Sequence, residues 1–321
     1  MDLLYNVVYV KMGRLFFFCK QLGGRQMPEK KLLLIINPNS GDGAARRWVY
    51  DMINILSAKY PLITVYFSKC TGDIIRAVCE YSEGYDAVVC CGGDGTLNET
   101  LNGLISIKSD AELGYIPTGT VNDFAGSHKI PKNIKMAIDK IANGEAHKYA
   151  IGRIGDRYFS YVAAFGAFTA VAYQTSQTKK ASFGKIAYVA EAAKSLAELK
   201  PYKMTIKTAD TEISGEFIYG MFSNSKTVGG IRFFGDNEME RLRDGMLDVT
   251  LIRYPKNAAE LQSAVTALLT LGESPMVVRL KAERADLIFE EEVSFTADGE
   301  YGGSYREVSV FDVPDGINII E

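Results

Sequence analysis

Apolar residues follow two rhythms along this chain. Residues 32–36 are a continuous apolar run, the pattern of a parallel strand buried on both faces. Further strands are expected at 62–67, 87–91 and 113–116. Between these runs the period changes. Trp48, Met52, Ile55 and Leu56 recur at helical spacing, as do Ile74, Val78 and Tyr81, then Leu97, Leu101 and Leu104, then Ile134, Ile138 and Ile141, the last set ending near Gly144. Such alternation predicts a parallel sheet with flanking helices. After about residue 146 strands crowd together, at 149–154, 158–163, 203–208, 216–223, 246–253, 277–281, 285–289 and 308–313. That spacing predicts a β-rich, sandwich-like second domain. Two helices interrupt it. One spans 184–199, with Ile186, Val189, Ala193 and Leu196 on one face. The other spans 257–271, with Asn257 as its N-cap and Gly272 as its stop. The fold class is therefore α/β, in three parts: an extension over 1–30, a parallel α/β domain over 31–146 and a β-rich domain over 147–321.

Composition narrows the chemistry. The 321 residues suffice for roughly two domains of about 150 residues each. Apolar residues at 47% and charged residues at 23% exclude low-complexity disorder and collagen-like repeats. A formal charge of −3 argues against a strongly basic nucleic-acid binder, so no nucleic-acid partner is expected. Cys19, Cys70, Cys79, Cys90 and Cys91 match no zinc spacing, and Cys90 and Cys91 lie in an apolar run where cysteine packs as a small hydrophobe. His128 and His147 are the two histidines, which leaves little material for zinc sites or histidine-driven nucleophiles. A reducing, cytoplasmic setting fits this cysteine usage.

Residues 1–26 stand apart. Their apolar stretches are broken by Lys11, Arg14, Lys20 and Arg25 and fall short of the ~20 residues of a membrane span. With Asp2 they carry +3, leaving −6 on the rest. The segment reads either as a start placed upstream of Met27 or as a short interfacial anchor of aromatic and basic residues.

Three glycine-containing breaks fall at the carboxyl ends of expected parallel strands, where open α/β sheets bind ligands. They are 37–43, 92–96 and 117–123. Glycine lets backbone amides approach an anion, and a following helix adds a favourable dipole. With an acidic residue inside the second break, the set points to phosphate and metal chemistry. Neither the P-loop pattern G-x-x-x-x-G-K-[ST] nor G-x-G-x-x-G after the first strand is present.

Asn37-Pro38-Asn39-Ser40-Gly41, Gly92-Gly93-Asp94-Gly95-Thr96-Leu97-Asn98-Glu99 and Pro117-Thr118-Gly119-Thr120-Val121-Asn122-Asp123-Phe124-Ala125 resemble the diacylglycerol kinase catalytic-domain family, in particular its bacterial soluble lipid kinases. Ser223-Asn224 with Gly229-Gly230, Asp244-Gly245-Met246-Leu247-Asp248-Val249 and Asp298-Gly299-Glu300 are similar to the family's second-domain motifs. The likeness covers about residues 31–321. It implies an α/β nucleotide-binding domain followed by a β-sandwich, with the active site in the cleft between them. It also implies ATP and Mg²⁺ as cofactors and a lipid hydroxyl, first of all that of diacylglycerol, as phosphoryl acceptor at a membrane surface. A homodimer is left open. NAD kinases and 6-phosphofructokinases carry loops similar to GGDGT, so an NAD-kinase-like activity and a non-catalytic binding relative stand as alternatives.

Roles follow from the same likeness. Asn37, Pro38, Asn39, Ser40, Gly41, Thr71, Gly93, Gly95, Thr96, Leu97, Asn98 and Thr120 would contact the nucleotide. Asp94 would organise Mg²⁺ waters around the phosphates, or else only form a turn. Glu99 would bind a ribose hydroxyl or cap a helix start, and Thr71 has an N-cap as its competing role. Glu300 would be the general base, with Asp298 next in line. The carbonyls of Arg241 and Met246 with the carboxylate of Asp244 would form a structural Mg²⁺ loop. Lys179 and Lys180, the 184–199 helix and the N-terminal segment are the candidate lipid-facing surfaces.

Overall fold

A computed structural model describes residues 30–41, 43–167, 199–225 and 245–321, with the backbone of 6–11, 14–19, 227–228 and 231–232. The helix expected at 184–199, all but its last residue, the Lys179 and Lys180 pair, and Arg241 and Asp244 lie outside the described residues. The chain divides into two compact units, one of residues 1–149 and 315–321, the other of residues 150–314.

In the first unit the strands are β1 (Asn6–Lys11), β2 (Arg14–Cys19), β3 (Lys31–Ile36), β4 (Leu62–Phe67), β5 (Ala87–Gly92) and β6 (Glu112–Pro117). The helices are α1 (Ala44–Arg47), α2 (Val49–Leu56), α3 (Asp73–Tyr81), α4 (Asp94–Ser106), α5 (Asp123–Ser127) and α6 (Ile134–Asn143). β4, β3, β5 and β6 pair in parallel in that order. The register sets Ile36 beside both Phe67 and Cys91, and Gly92 beside Pro117. All four strands thus end along one edge, and the glycine breaks leave from it. Every residue of β5 is buried, as a central parallel strand flanked by helices on both faces requires. α6 starts on Asn133, whose side chain accepts the Met136 N–H, and stops at Gly144 as the pattern predicts. The N-terminal segment adds a hairpin: β1 pairs antiparallel with β2, and β2 with β4.

The second unit contains most of β7 (Ala146–Ile154), then β8 (Arg157–Phe159), β9 (Val162–Gly166), β10 (Tyr202–Lys207) and β11 (Glu212–Ser223). A two-stranded ladder of β12 (Thr227–Val228) and β13 (Ile231–Arg232) follows. Next come β14 (Leu247–Arg253), α7 (Ala258–Thr270), β15 (Val277–Ala282), β16 (Arg284–Ala297) and β17 (Glu300–Ile320), whose last residues return to the first unit. β9 and β10 each pair with both β11 and β16, so the ladder closes on itself. Its core holds Phe159, Phe165, Phe217, Phe222, Phe289 and Phe295. The Phe165 ring lies 5.2 Å from both Phe289 and Phe295, and such pairs add about 0.5–1.5 kcal/mol each beyond burial.

Three sequence expectations need correction. The strand expected at 158–163 breaks at Ser160 and Tyr161 into β8 and β9. The strands expected at 285–289 and 308–313 are segments of a 14-residue and a 21-residue strand. α7 does start on Asn257, whose side chain accepts the Glu260 N–H, but its C-cap is Leu271 in the left-handed region, one residue before Gly272.

Candidate functional site

The three glycine breaks of the first unit interlock. The Thr118 hydroxyl donates to the Ser40 hydroxyl oxygen at 2.9 Å. The Asn37 side-chain amide donates to the Thr96 hydroxyl at 3.3 Å. Gly41, at φ 60°, lies so close to Thr118 that a Cβ there would sit 2.5 Å from its carbonyl oxygen. A Cβ on Gly119 would come within 2.6 Å of the Gly93 Cα. Glycine is required at both places because backbone meets backbone. Asn122 fixes the third break: its Oδ1 accepts the Gly119 N–H at 3.0 Å and the Tyr115 hydroxyl at 3.1 Å, and its Nδ2 donates to the Gly119 carbonyl at 2.7 Å. Asn122 adopts a left-handed φ of 53°, which asparagine tolerates better than most residues.

α4 is 13 residues long and its N-cap is Gly93, which has no side chain to satisfy the first-turn amides. Those amides and the helix dipole suit an anion. Asp94 opens the helix. Its carboxylate accepts the N–H of Asp123 at 3.3 Å and of Phe124 at 3.4 Å, so it also holds the start of α5. Thr96 and Asn98 are buried, whereas Thr71 and Thr120 are exposed.

Glu99 caps a helix start in this structure. Its Oε1 accepts the Gly72 N–H at 2.9 Å and its Oε2 the Ile74 N–H at 3.2 Å. The helix it caps is α3, not its own. Thr71 is not the N-cap of α3; Gly72 occupies that position without a side-chain cap. Glu99 therefore ties the Thr71 segment to α4. Sequence spacing misses this link because the partners lie 25 and 27 residues away.

In the second unit, Asp298 and Gly299 form the tight turn between β16 and β17, with φ of 51° and 83°, and Ala297 pairs with Glu300 across it. The Asp298 carboxylate is buried and accepts four bonds: the Ser160 N–H at 2.6 Å, the Ser160 hydroxyl at 2.7 Å, the Tyr161 N–H at 3.0 Å and the Val162 N–H at 3.1 Å. Burial pushes its carboxyl up, while the four donors favour its charged form. Asp298 thus anchors this turn to the bend after β8. Ser160, its main partner, carries no sequence signal of that role. Glu300 follows the turn and is exposed. Met246 directly precedes β14. Among the described residues, no cluster of three or more His, Cys, Asp or Glu gathers as metal ligands.

Neither cysteine of β5 is a nucleophile. Burial pushes the Cys91 thiol up to about 12 and Cys90 higher still. His128 packs between rings, stacked 3.9 Å from Phe124 and edge-on to Tyr149.

Residues 31–154 match the family model described as diacylglycerol kinase catalytic domain, and residues 162–321 match the one described as YegS C-terminal NAD kinase beta sandwich-like domain. A diacylglycerol kinase of Staphylococcus aureus is 31% identical over 302 residues, covering 90% of this chain and 94% of the relative. A diacylglycerol kinase of Bacillus subtilis is 29% identical over 279 residues, covering 85% and 91%. Among solved structures, a Bacillus anthracis protein provisionally described as a diacylglycerol kinase superposes with a TM-score of 0.77 at 24% identity, covering 94% of this chain and 98% of that one. Two consecutive domain matches and a 31% identical relative covered almost end to end place this chain in the diacylglycerol kinase family.

Proposed function

We propose that this protein transfers the γ-phosphate of ATP to the hydroxyl of diacylglycerol, yielding phosphatidate and ADP. The observation that carries the reading is the interlocked glycine cradle around Gly41, Gly93 and Gly119, opening on the uncapped start of α4. That geometry supports an anion site, and the name of the relatives supports the reaction. Asn37, Pro38, Asn39, Ser40, Gly95, Thr96, Leu97, Asn98, Glu99 and Thr120, on or beside these loops in the sequence, are assigned to the nucleotide with the three glycines. Thr71 joins them through the Glu99 tether.

In this reading the lipid hydroxyl oxygen attacks the γ-phosphorus, the bond to the ADP oxygen breaks, and the hydroxyl proton passes to the Glu300 carboxylate. Phosphoryl transfer is mostly positioning and charge stabilisation, so the cradle carries more of the catalysis than the base. Mg²⁺, when bound, supplies charge neutralisation at the phosphates, and Asp94 is the residue suited to hold its water shell. A second, structural cation on Arg241, Asp244 and Met246 rests on the family likeness alone. Among the described residues, no helix is long and apolar enough to cross a membrane. Separately, the lipid-kinase reading has the protein act on the cytoplasmic side, in peripheral contact with the bilayer that holds its substrate.

Incubation with labelled ATP, Mg²⁺ and a lipid panel in mixed micelles, with NAD as a competing acceptor, tests the proposal. Labelled phosphatidate supports it. Label in NADP instead, or ATP binding without transfer to any acceptor, overturns it.

A further inference from the structure

Helix α5 is five residues long. Isolated helices below about 12–15 residues are marginal in water, so what fixes α5 must lie at its two ends. At its start, the Asp123 and Phe124 N–H groups donate to the Asp94 carboxylate. At its finish, His128 is the C-cap. The His128 N–H donates to the Phe124 carbonyl at 3.0 Å, and the imidazole stacks on the Phe124 ring at 3.9 Å. Phe124 therefore touches Asp94 through its amide and His128 through its ring.

The imidazole is buried, and its Nδ1 lies 3.8 Å from Glu321 Oε1. Glu321 directly follows β17, where Ile319 lies beside Leu113 of β6, and its N–H donates to the Glu145 carbonyl at 2.9 Å. From β7, the Tyr149 ring meets the imidazole edge-on at 4.6 Å. Burial pushes the Glu321 carboxyl up, but His128, the Tyr149 hydroxyl and the charge of Lys140 on α6 together hold it below the usual carboxylate range. The Lys140 ammonium donates to the Lys129 carbonyl at 3.3 Å. Lys129 itself follows His128 in the chain and is exposed, and Asp123 is the buried acid of α5. The two lysines oppose a charge on His128, and Glu321 favours it.

A histidine ordinarily titrates at about 6.5, whereas Glu321 stays charged through neutral pH. On the acid side of the histidine transition, opposite charges face each other across the end of α5. On the alkaline side, the buried carboxylate keeps its charge and loses its cationic neighbour. We propose that His128 is a positioning residue: its imidazolium, clamped by the Glu321 carboxylate, seats α5 and so holds the Asp123 and Phe124 amides that orient Asp94, and loss of the proton loosens that seat. The inference rests on the kinase reading for what Asp94 handles, Mg²⁺ and the ATP phosphates.

The chain has two histidines, so His147→Gln leaves a single imidazole signal to titrate by NMR in the full chain. On that background, Glu321→Gln should lower the His128 midpoint by about one unit or more, the scale on which an opposite charge at this range acts. Saturating Mg²⁺·ATP should raise the midpoint, because ligand and proton favour the same seating of α5. That rise should shrink in Glu321→Gln, whereas a direct effect of the ATP charge would persist there. Calorimetry supplies the second reading. The ratio of wild-type affinity for Mg²⁺·ATP to that of Glu321→Gln or of His128→Gln should fall ~3-fold or more between pH 5.5 and pH 8, the scale of such coupling. The titration of ATP itself cancels in that ratio, and either variant suffices if the other does not fold. A His128 midpoint that ignores Mg²⁺·ATP, or a rise of equal size in Glu321→Gln, overturns the proposal, as does an affinity ratio that does not change with pH. If wild type transfers no phosphate to diacylglycerol while the midpoint still follows Mg²⁺·ATP and Glu321, the positioning role stands and the lipid-kinase reading falls.

Discussion

The carboxylate of Asp298 accepts both the backbone N–H and the hydroxyl of Ser160, at 2.6 and 2.7 Å. This pairing joins the turn before Glu300 to the bend that separates β8 from β9. The Asp298 carboxylate holds the fold, whereas Glu300, two residues on, is exposed. Asp298→Ala leaves the buried donors of Ser160, Tyr161 and Val162 without their acceptor, and should lower unfolding stability by roughly 3 kcal/mol. Glu300→Gln should change stability by less than about 0.5 kcal/mol, as expected of an exposed site. Urea unfolding of both variants checks the contrast.

Glu99 reaches from α4 to two amides at the start of α3. Glu99→Gln keeps the length of the side chain but turns an NH₂ toward one of those donors. The expected result is a raised KM for ATP with kcat little changed, because the Thr71 segment loses its tether while the reacting groups stay in place. Steady-state kinetics against ATP concentration measures it. A fall in kcat at unchanged KM would assign Glu99 to the transition state instead.

The parallel half of the fold was legible because its signals are local. Continuous apolar strands, helical spacing and glycine breaks each lie within a few residues. The β-rich half was less so. β17 contains Pro314, Asp315 and Gly316 and reads as a short strand from pattern alone, yet it runs for 21 residues. Nothing in its alternation announces that residues 315–321 belong to the first unit. α5 is five residues long, too short to show a period. The loops of the candidate site could be named from sequence, but what locks them could not. The Thr118–Ser40 bond spans 78 positions and the Asp298–Ser160 bond 138. Such partners are set by tertiary packing and leave no trace in spacing.

Asp94 has both a holding and a chemical assignment. Asp94→Asn retains one oxygen to accept the Asp123 or Phe124 N–H, so the melting temperature should fall by only a few degrees. Loss of the charge should reduce Mg²⁺-dependent transfer by about 10²-fold or more, the scale on which such charge stabilisation is felt. Wild-type turnover in this variant would make the residue purely a support for α5.

Acid sensitivity should have a component at the start of α3. Burial pushes the Asp73 carboxyl up, but the Lys69 N–H, the Tyr66 hydroxyl and the Arg76 guanidinium together hold it below the usual carboxylate range. A group depressed in the folded state contributes stability above its unfolded value of about 3.9 and loses it as pH falls through the folded value. Wild type should therefore be more stable than Asp73→Asn at pH 7, with the gap closing below about pH 4. Thermal melts across pH 2.5–7 read this directly; a gap that does not change with pH would remove the charge from the account.

The most direct measurement is the rate of label transfer from ATP to diacylglycerol by wild type and Glu300→Gln, with ATP affinity measured alongside. Removing a general base typically costs about 10²–10⁴-fold. The account predicts labelled phosphatidate from wild type, a fall of at least ~100-fold in kcat for Glu300→Gln, and nearly unchanged ATP affinity. Transfer by Glu300→Gln at the wild-type rate would contradict the assignment of the base. No transfer to any lipid by wild type would contradict the function itself.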